Sequence, residues 1–127
     1  MAIIGHGVDL IECRRIAESI ERFGDAFLAR VLTPAERAYV ARKRNPVPHV
    51  AGRFAAKEAI LKVIGTGWRG QIAWTDIEIL NNELGQPQVT LTGQVARHAD
   101  QLGIKSILLS ITHTSEAAVA SAIGQDE

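Results

Sequence analysis

The segment from His49 to Ile64 constrains the fold of this chain more than any other, because it predicts a long helix that other elements must cover. On a helical wheel of about 100° per residue, the stripe expected to face the core holds Val50, Phe54, Leu61 and Ile64. Lys57 falls inside that stripe, while Glu58 and Lys62 lie along its border. Glycine-containing residues 65–67 are expected to end the helix. The charges on such a helix need an explanation.

The N-terminal segment from Ile3 to Leu10 predicts a strand with two glycines on one face. The opposite face holds Ile4, His6 and Val8. Gly5 and Gly7 would let another backbone or a ligand approach closely. Asp9 is expected at the C-terminal end of the strand, on the glycine-lined face. We interpret His6, on the other face, as a packing or interface residue.

Apolar spacing predicts three more helices, at residues 12–23, 33–43 and 93–102, and no element is assigned to residues 25–32. The helix at 33–43 opens with a capping box, in which Thr33 is the N-cap, Pro34 the first residue and Glu36 the third. β-rich runs predict a hairpin from residues 76–80 and 88–91. Two further strands are expected within residues 106–114 and 117–123, around a polar turn at 113–116.

Helices and strands that alternate irregularly, with strands in adjacent pairs, predict an α+β fold. We expect a small single domain, residues 1–124, in which a mostly antiparallel sheet packs against the long central helix. Residues 125–127 are expected to form a short tail. The 127 residues, 46% of them hydrophobic, suit one core of this size.

Charge and cysteine content narrow the functional classes. The 14 basic and 14 acidic residues give no overall field that would favour nucleic acid or an anionic membrane. No apolar run approaches the roughly 20 residues of a membrane span, and the N-terminus lacks the basic region of a secretory signal. Cys13 is the only cysteine. A nucleophilic role for its thiol is disfavoured, because no activating base lies near it in the sequence. We expect a soluble, cytoplasmic protein.

The charged residues of the long helix have two interpretations. Glu58 and Lys62 are spaced as a favourable i,i+4 surface pair, and Lys57 is explained by an alkyl stem that runs along apolar neighbours. Alternatively, Asp9 and Glu58 with a lysine one turn beyond form a magnesium and phosphate site, because Mg²⁺ binds carboxylates together with water and phosphate oxygens. The lysine would then neutralise phosphate charge. Spacing alone leaves both open.

Three blocks of the sequence carry a resemblance that favours the second interpretation. They are GHGVDLIECRRI (Gly5 to Ile16), RFAAKEAILKVIGTG (Arg53 to Gly67) and SITHT (Ser110 to Thr114). Their order and intervals resemble the holo-acyl-carrier-protein synthase family, the small 4′-phosphopantetheinyl transferases of fatty acid synthesis. The resemblance covers nearly the whole chain.

The resemblance implies roles for three residues as catalytic groups. Asp9 and Glu58 would coordinate Mg²⁺, and Lys62 would contact the pyrophosphate of coenzyme A. A serine hydroxyl of an acyl carrier protein would attack the β-phosphorus, so that phosphopantetheine moves to the serine and 3′,5′-ADP is released. Glu58, directly or through water, is our hypothesis for the general base.

Other implied contacts belong to coenzyme A, the carrier protein and the assembly. The implied coenzyme A contacts are Arg53, Lys62, Gly65, Thr112, His113 and Thr114. The alternative for His113 is a structural role in the turn, with its ring hydrogen-bonded to backbone groups. The implied docking surface for the acidic carrier protein is Arg14, Arg15 and Arg22, which are otherwise ordinary surface charges. The resemblance also implies a homotrimer with active sites between subunits.

Two rival functions use the same residues. A magnesium-dependent phosphodiesterase would hydrolyse coenzyme A without a protein acceptor. A noncatalytic binding module would keep its affinity for coenzyme A when Asp9 is lost.

Overall fold

The computed structural model describes residues 1–65 and 72–127. In chain order the elements are β1 (Ile3–Glu12), α1 (Cys13–Phe23), α2 (Asp25–Val31), α3 (Pro34–Ala41), α4 (Val47–Ile64), a 3₁₀ turn (Trp74–Asp76), β2 (Ile77–Asn81), β3 (Pro87–Leu91), α5 (Gly93–Gln101), β4 (Ser106–His113) and β5 (Ala117–Gln125).

Two antiparallel sheets account for the strands of the described residues. β5 lies at the centre of a sheet of order β1-β5-β4, and β2 pairs with β3 in a separate hairpin. The Thr114 hydroxyl stabilises the turn between β4 and β5, because it accepts hydrogen bonds of 3.1 Å from the amides of Glu116 and Ala117. The predicted α+β fold with a mostly antiparallel sheet against a long helix is confirmed.

Helix α4 packs on the inner face of the larger sheet, where β1 and β5 contribute several very small residues. That face carries Gly5, Gly7, Ala118, Ala120, Ala122 and Gly124. A Cβ atom built on Gly7 would overlap the carbonyl oxygen of Ala59, and one on Gly5 would lie 3.0 Å from the carbonyl oxygen of Val63. The close approach predicted at the glycine-lined face is therefore made by the backbone of α4.

The single core stripe predicted for α4 is wrong, because the helix is covered on nearly all sides. Thirteen of its 18 residues are buried, many of them alanines that let neighbouring elements approach. Phe54, predicted in the core stripe, is only half-buried and stacks on Trp74 with ring centroids 4.7 Å apart. The sheet covers one side of α4, while α1 and α5 contact it elsewhere. Coverage from several sides erases the amphipathic contrast that the wheel relies on.

The outer face of the same sheet is exposed and largely apolar. This outer sheet face includes Ile4, Val8 and Leu10 from β1 and Leu108 from β4, with exposures of 36%, 52%, 62% and 54%. His6 lies among them, with its Nε2 3.0 Å from the Ser121 hydroxyl.

Local boundaries follow the sequence signals closely, with two exceptions. The capping box of α3 is present, since Glu36 N donates to Thr33 Oγ1 at 3.2 Å and Thr33 N donates to Glu36 Oε1 at 2.9 Å. Helix α2 was not predicted, because it has only seven residues and directly follows the glycine that ends α1. Residue 125, assigned to the tail, continues strand β5, and Asp126 accepts a hydrogen bond from Ala2 N at 2.7 Å.

Candidate functional site

Asp9 and Lys62 meet where the end of β1 crosses α4. Lys62 Nζ donates to Asp9 Oδ1 at 3.2 Å and to the carbonyl oxygen of Val8 at 2.9 Å. The Asp9 side chain is 20% exposed and that of Lys62 is 54% exposed. A carboxylate and an ammonium group are thus held together at an open edge.

Glu58 belongs to the same edge. It is half-buried and lies one helical turn before Lys62, so the two side chains share a face of α4. β1 runs antiparallel to α4, since Gly5 faces Val63 and Gly7 faces Ala59. Two residues of strand cover about the length of one helical turn. Asp9, two residues after Gly7, therefore lies beside the helical turn of α4 that ends at Glu58.

The donor set at this edge suits magnesium. Within the described residues, no three histidine, cysteine or carboxylate side chains gather as a metal cluster. Two carboxylates are a small ligand set, and Mg²⁺ is commonly held by one or two carboxylates while water and phosphate oxygens complete its coordination. Asp9 and Glu58 fit such an ion and are poorly suited to a zinc site, which needs three or four protein ligands.

Arg53 projects to another part of the molecule. The residue is 4% exposed, and Nε donates to the carbonyl oxygen of Ile79 at 3.1 Å, while Nη2 donates to Asn81 Oδ1 at 2.9 Å. Burial lowers the pKa of this guanidinium. The hairpin of β2 and β3 therefore fixes the orientation of Arg53, and its phosphate contact remains a prediction.

His113 and Arg53 line one pocket of about 150 Å³ between α4, the end of β4 and the β2–β3 turn. The ring of His113 makes an edge contact with that of His49, with centroids 5.0 Å apart, and His49 makes another with Tyr39 at 6.3 Å. Sequence reasoning missed Tyr39 and His49. Two sequence signals could have found them. His49 and Arg53 have i,i+4 spacing on one helix, and a basic run at residues 42–44 directly follows α3, which carries Tyr39.

The other residues of the predicted coenzyme A surface differ in how far the structure describes them. Gly65 caps α4 with φ of 77°, and the space where a Cβ would sit is open. Thr112 is exposed, and Thr114 is engaged in the β4–β5 turn. Residues 66 and 67, which end the second sequence block and were expected to help end the helix, lie outside the described residues.

The three arginines assigned to carrier-protein docking all lie exposed on α1. Arg14 lies 3.8 Å from Glu18, and Arg22 lies over the ring of Phe23 at 5.3 Å from its centroid. Cys13, at the start of the same helix, is buried, and burial raises the pKa of its thiol. A raised pKa disfavours the thiolate, so Cys13 is poorly suited to nucleophilic chemistry.

Lys57 lies in the core and forms a buried ion pair. Its Nζ is fully buried, 2.7 Å from Glu36 Oε1 and 2.7 Å from the carbonyl oxygen of Val31. The snorkelling interpretation is wrong, because the ammonium group lies in the core rather than in water.

The two parts of the predicted site arise from opposite edges of the larger sheet. Asp9 lies on β1 and His113 on β4, with β5 between them. Two strand spacings amount to about 10 Å, and His113 lies two residues further along β4 than the residue level with Asp9, so their backbones are more than that distance apart. A substrate that reached both groups of one chain would have to extend across the strand in between.

The known proteins that resemble this chain in sequence and in structure all point to one family. The family model of the 4′-phosphopantetheinyl transferase superfamily matches residues 5–121. A holo-[acyl-carrier-protein] synthase of Solibacter usitatus (strain Ellin6076) is 53% identical over 121 residues, which cover 95% of this chain and 97% of that protein. The crystal structure of the synthase from Neisseria meningitidis is 33% identical and has a TM-score of 0.89, with 98% of this chain and 99% of that chain covered. A holo-(acyl-carrier-protein) synthase from Bacillus anthracis str. Ames, in complex with CoA (3′,5′-ADP), is 34% identical with a TM-score of 0.81, and 98% of each chain is covered.

Proposed function

This chain belongs to the 4′-phosphopantetheinyl transferase superfamily, and from that premise we propose that it transfers 4′-phosphopantetheine from coenzyme A to a serine of an apo-acyl carrier protein. The observation that carries the proposal is the contact of Lys62 with Asp9, one helical turn after Glu58, in a fold shared with holo-acyl-carrier-protein synthases. A structure of one such synthase contains CoA (3′,5′-ADP), which matches the proposed donor and product.

The chemistry is a displacement at the β-phosphorus of coenzyme A. The serine oxygen forms a bond to that phosphorus, and the bond from the phosphorus to the bridging oxygen of the pyrophosphate breaks. The electron pair leaves with 3′,5′-ADP. The serine hydroxyl loses its proton, and the half-buried carboxylate of Glu58 is our assignment for the group that accepts it.

Lys62 and Asp9 have separate proposed roles in this reaction. Lys62 lies beside a carboxylate and a carbonyl oxygen. We assign its ammonium group to the pyrophosphate, where it would offset negative charge on the leaving group. Asp9 and Glu58 are the residues that would hold Mg²⁺. When bound, the metal supplies Lewis-acid stabilisation and a template for the phosphates.

Other contacts complete the proposal. We assign Arg53, Gly65, Thr112, His113 and Thr114 to coenzyme A. The exposed arginines of α1, Arg14, Arg15 and Arg22, receive the acidic carrier protein. A cytoplasmic location belongs to the same proposal, since both proposed substrates serve fatty acid synthesis. No helix of the described residues has the length and apolar character to cross a bilayer.

The proposed assembly is a homotrimer with active sites between subunits. Two observations support it: the exposed apolar outer sheet face, and the separation of Asp9 from His113 on opposite sheet edges. In this arrangement Asp9 and Glu58 of one chain face His113 of the partner subunit.

The decisive experiment measures the intact mass of an apo-acyl carrier protein after incubation with this protein, coenzyme A and Mg²⁺. We expect a gain of one phosphopantetheine that a chelator abolishes. Coenzyme A consumed without a gain, across several carrier proteins, would instead identify a phosphodiesterase. No gain and no consumption would leave a binding module.

Glu58→Gln tests the residue roles in the same assay. The amide keeps the size of the side chain but neither accepts the serine proton nor supplies a carboxylate ligand. We expect turnover to fall by at least about a hundredfold, the usual scale for loss of a general base. Normal turnover at saturating Mg²⁺ would remove both roles assigned to Glu58.

A further inference from the structure

Positive side chains surround the ring of Tyr39 beside the His113 pocket. The guanidinium carbon of Arg53 lies 4.3 Å from the ring centroid, and Lys43 Nζ lies 4.7 Å from it. The imidazole of His49 contacts the same ring edge-on and touches that of His113 on its other side. The guanidinium of Arg42 also lies over this ring, 5.5 Å from its centroid. Three permanent cations and two imidazoles therefore meet in a small region.

This cationic cluster, formed by Lys43, His49, Arg53 and His113, lacks a carboxylate partner. None of its members takes part in an ion pair with a carboxylate of the described residues. Glu36 is the carboxylate that acts on Arg53 from a distance, and its oxygens already accept hydrogen bonds from the amides of residues 33 and 79 and from the buried lysine. The cluster retains an excess of positive charge that a bound anion would relieve.

His49 is the member whose charge state responds to this excess. Burial lowers its pKa, and the nearby charges of His113, Lys43 and Arg53 lower it further. The groups that face it from α3, the segment after α3, α4 and β4 are the phenol of Tyr39 and those three basic side chains. In the ligand-free protein these effects disfavour the protonated form of His49, and a nearby dianion would reverse the balance.

We propose that His49 is a proton-dependent contact for a phosphate group in this pocket, and that it takes up a proton from solvent when a phosphomonoester enters beside Arg53 and His113. The inference rests on the proposed function, because it takes the ligand to be 3′,5′-ADP or the matching part of coenzyme A. A phosphomonoester is mostly a dianion at neutral pH. Protonated His49 would donate a charge-assisted hydrogen bond to it, and the His113 ring lines the same pocket.

Calorimetric titration with 3′,5′-ADP tests the proton linkage. Binding is measured in phosphate-free buffers that differ in ionisation enthalpy, and the difference in observed heat gives the number of protons taken up. We expect net proton uptake by the wild-type protein between about pH 7 and 8, with a dissociation constant that rises by up to about tenfold per pH unit for each linked proton. His49→Gln keeps a hydrogen-bond donor but cannot titrate, so it should show less uptake and a flatter pH dependence.

His98→Gln is the matched control, because His98 lies on α5 outside this pocket and the same substitution there should leave uptake unchanged. Proton uptake by His49→Gln equal to that of the wild type would overturn the inference. An NMR titration of the His49 ring in the wild-type protein gives an independent test that does not require the variant to fold. Its pKa should rise when 3′,5′-ADP is bound, and an unchanged pKa would also refute the role.

The transfer assay distinguishes failure of this inference from failure of the proposed function. Normal phosphopantetheine transfer with no proton linkage at His49 would overturn this inference alone. Absence of both transfer and 3′,5′-ADP binding would overturn it together with the proposed function.

Discussion

At the scale of single residues, Lys57 and its neighbour Glu58 differ completely in environment. Glu58 lies at the open edge with Lys62, while Lys57 points into the core toward Glu36. Glu36 Oε2 also accepts a hydrogen bond of 2.9 Å from the amide of Ile79. One buried ion pair thus connects the end of α2, the start of α3, α4 and strand β2. Burial lowers the pKa of Lys57, and the carboxylate of Glu36 opposes that shift.

Lys57→Met should destabilise the protein severely. The substitution leaves Glu36 buried without its cation, and breaking a buried pair from one side costs about 3–5 kcal/mol. Urea unfolding followed by circular dichroism measures the loss. The double variant Glu36→Gln/Lys57→Met should lose less than the sum of the two single variants, because the two residues are directly coupled.

Lys105→Met is the matched control for this measurement, since Lys105 is exposed and makes no ion pair among the described residues. Its free energy of unfolding should change by no more than about 0.5 kcal/mol. A Lys57→Met variant as stable as Lys105→Met would contradict the structural role of the pair.

Local sequence signals found some of these residues but not their tertiary partners. The capping box predicted the contact of Glu36 with Thr33, which spans three residues. The pairing of Glu36 with Lys57 spans 21 residues of chain and follows no local pattern. Asp9 and Lys62 are 53 residues apart. The pattern of charges offered their proximity as one of two interpretations, and the resemblance of separate sequence blocks to one family favoured it.

At the scale of elements, the contact between β1 and α4 sets the position of the proposed catalytic edge. Gly7→Ala should push the two elements apart, because its Cβ would overlap the carbonyl oxygen of Ala59. We expect a loss of stability of about 1–3 kcal/mol and a clear loss of transfer activity, since Asp9 lies two residues further along β1. Thermal unfolding and the carrier-protein mass assay measure the two effects.

Gly5→Ala provides a graded comparison on the same strand face. Its Cβ would lie 3.0 Å from the carbonyl oxygen of Val63, a much smaller intrusion. The effect on both stability and activity should therefore be weaker than that of Gly7→Ala. Equal effects would show that glycine flexibility, rather than close approach of the helix, decides the role of Gly7.

Helix α1 should determine the use of the carrier protein independently of coenzyme A. Arg14→Glu reverses a charge on the proposed docking surface, and its exposed contact with Glu18 contributes little to stability. We expect KM for the carrier protein to rise by about tenfold, equivalent to about 1.4 kcal/mol, with KM for coenzyme A nearly unchanged. The difference should shrink at high salt.

Arg97→Glu on α5 makes the same charge change at another exposed position and should leave both KM values unaltered. Equal changes in the two KM values for Arg14→Glu would count against docking on α1.

The success of element prediction depended on how each element is covered. β1 alternates between α4 on one side and an open face on the other, so its pattern was readable. α4 has cover on most sides, so its pattern was nearly uniform and the wheel selected too narrow a stripe. α2 is too short for a periodic signal to develop.

At the scale of the whole molecule, the fold class followed from the order of helices and strands, because adjacent strand pairs favour antiparallel sheets. The sequence pattern did not predict two features of the folded chain that favour self-association. The outer sheet face carries exposed Val8, Leu10 and Leu108, and the cationic cluster lies on the far sheet edge from Asp9. A self-association that buried the outer sheet face could bring the two edges of different chains together.

We expect sedimentation analysis to give three times the chain mass of 13.7 kDa. Val8→Glu should dissociate the assembly, because a carboxylate is tolerated on an exposed strand position but not inside an apolar interface. Leu84→Glu is the matched control, since Leu84 is 84% exposed in the β2–β3 turn and should leave the assembly intact. A wild-type monomer with full activity, or a trimeric Val8→Glu variant, would contradict the proposed assembly.

Mixed assemblies test whether each active site is shared between chains. Glu58→Gln and His113→Ala each remove one part of the site, so each variant alone should be nearly inactive in transfer. If a site takes Glu58 from one chain and His113 from the partner subunit, random mixing of the dissociated variants should restore about a quarter of the wild-type sites. If both residues of a site came from the same chain, no mixed assembly would contain an intact site, and mixing would restore nothing.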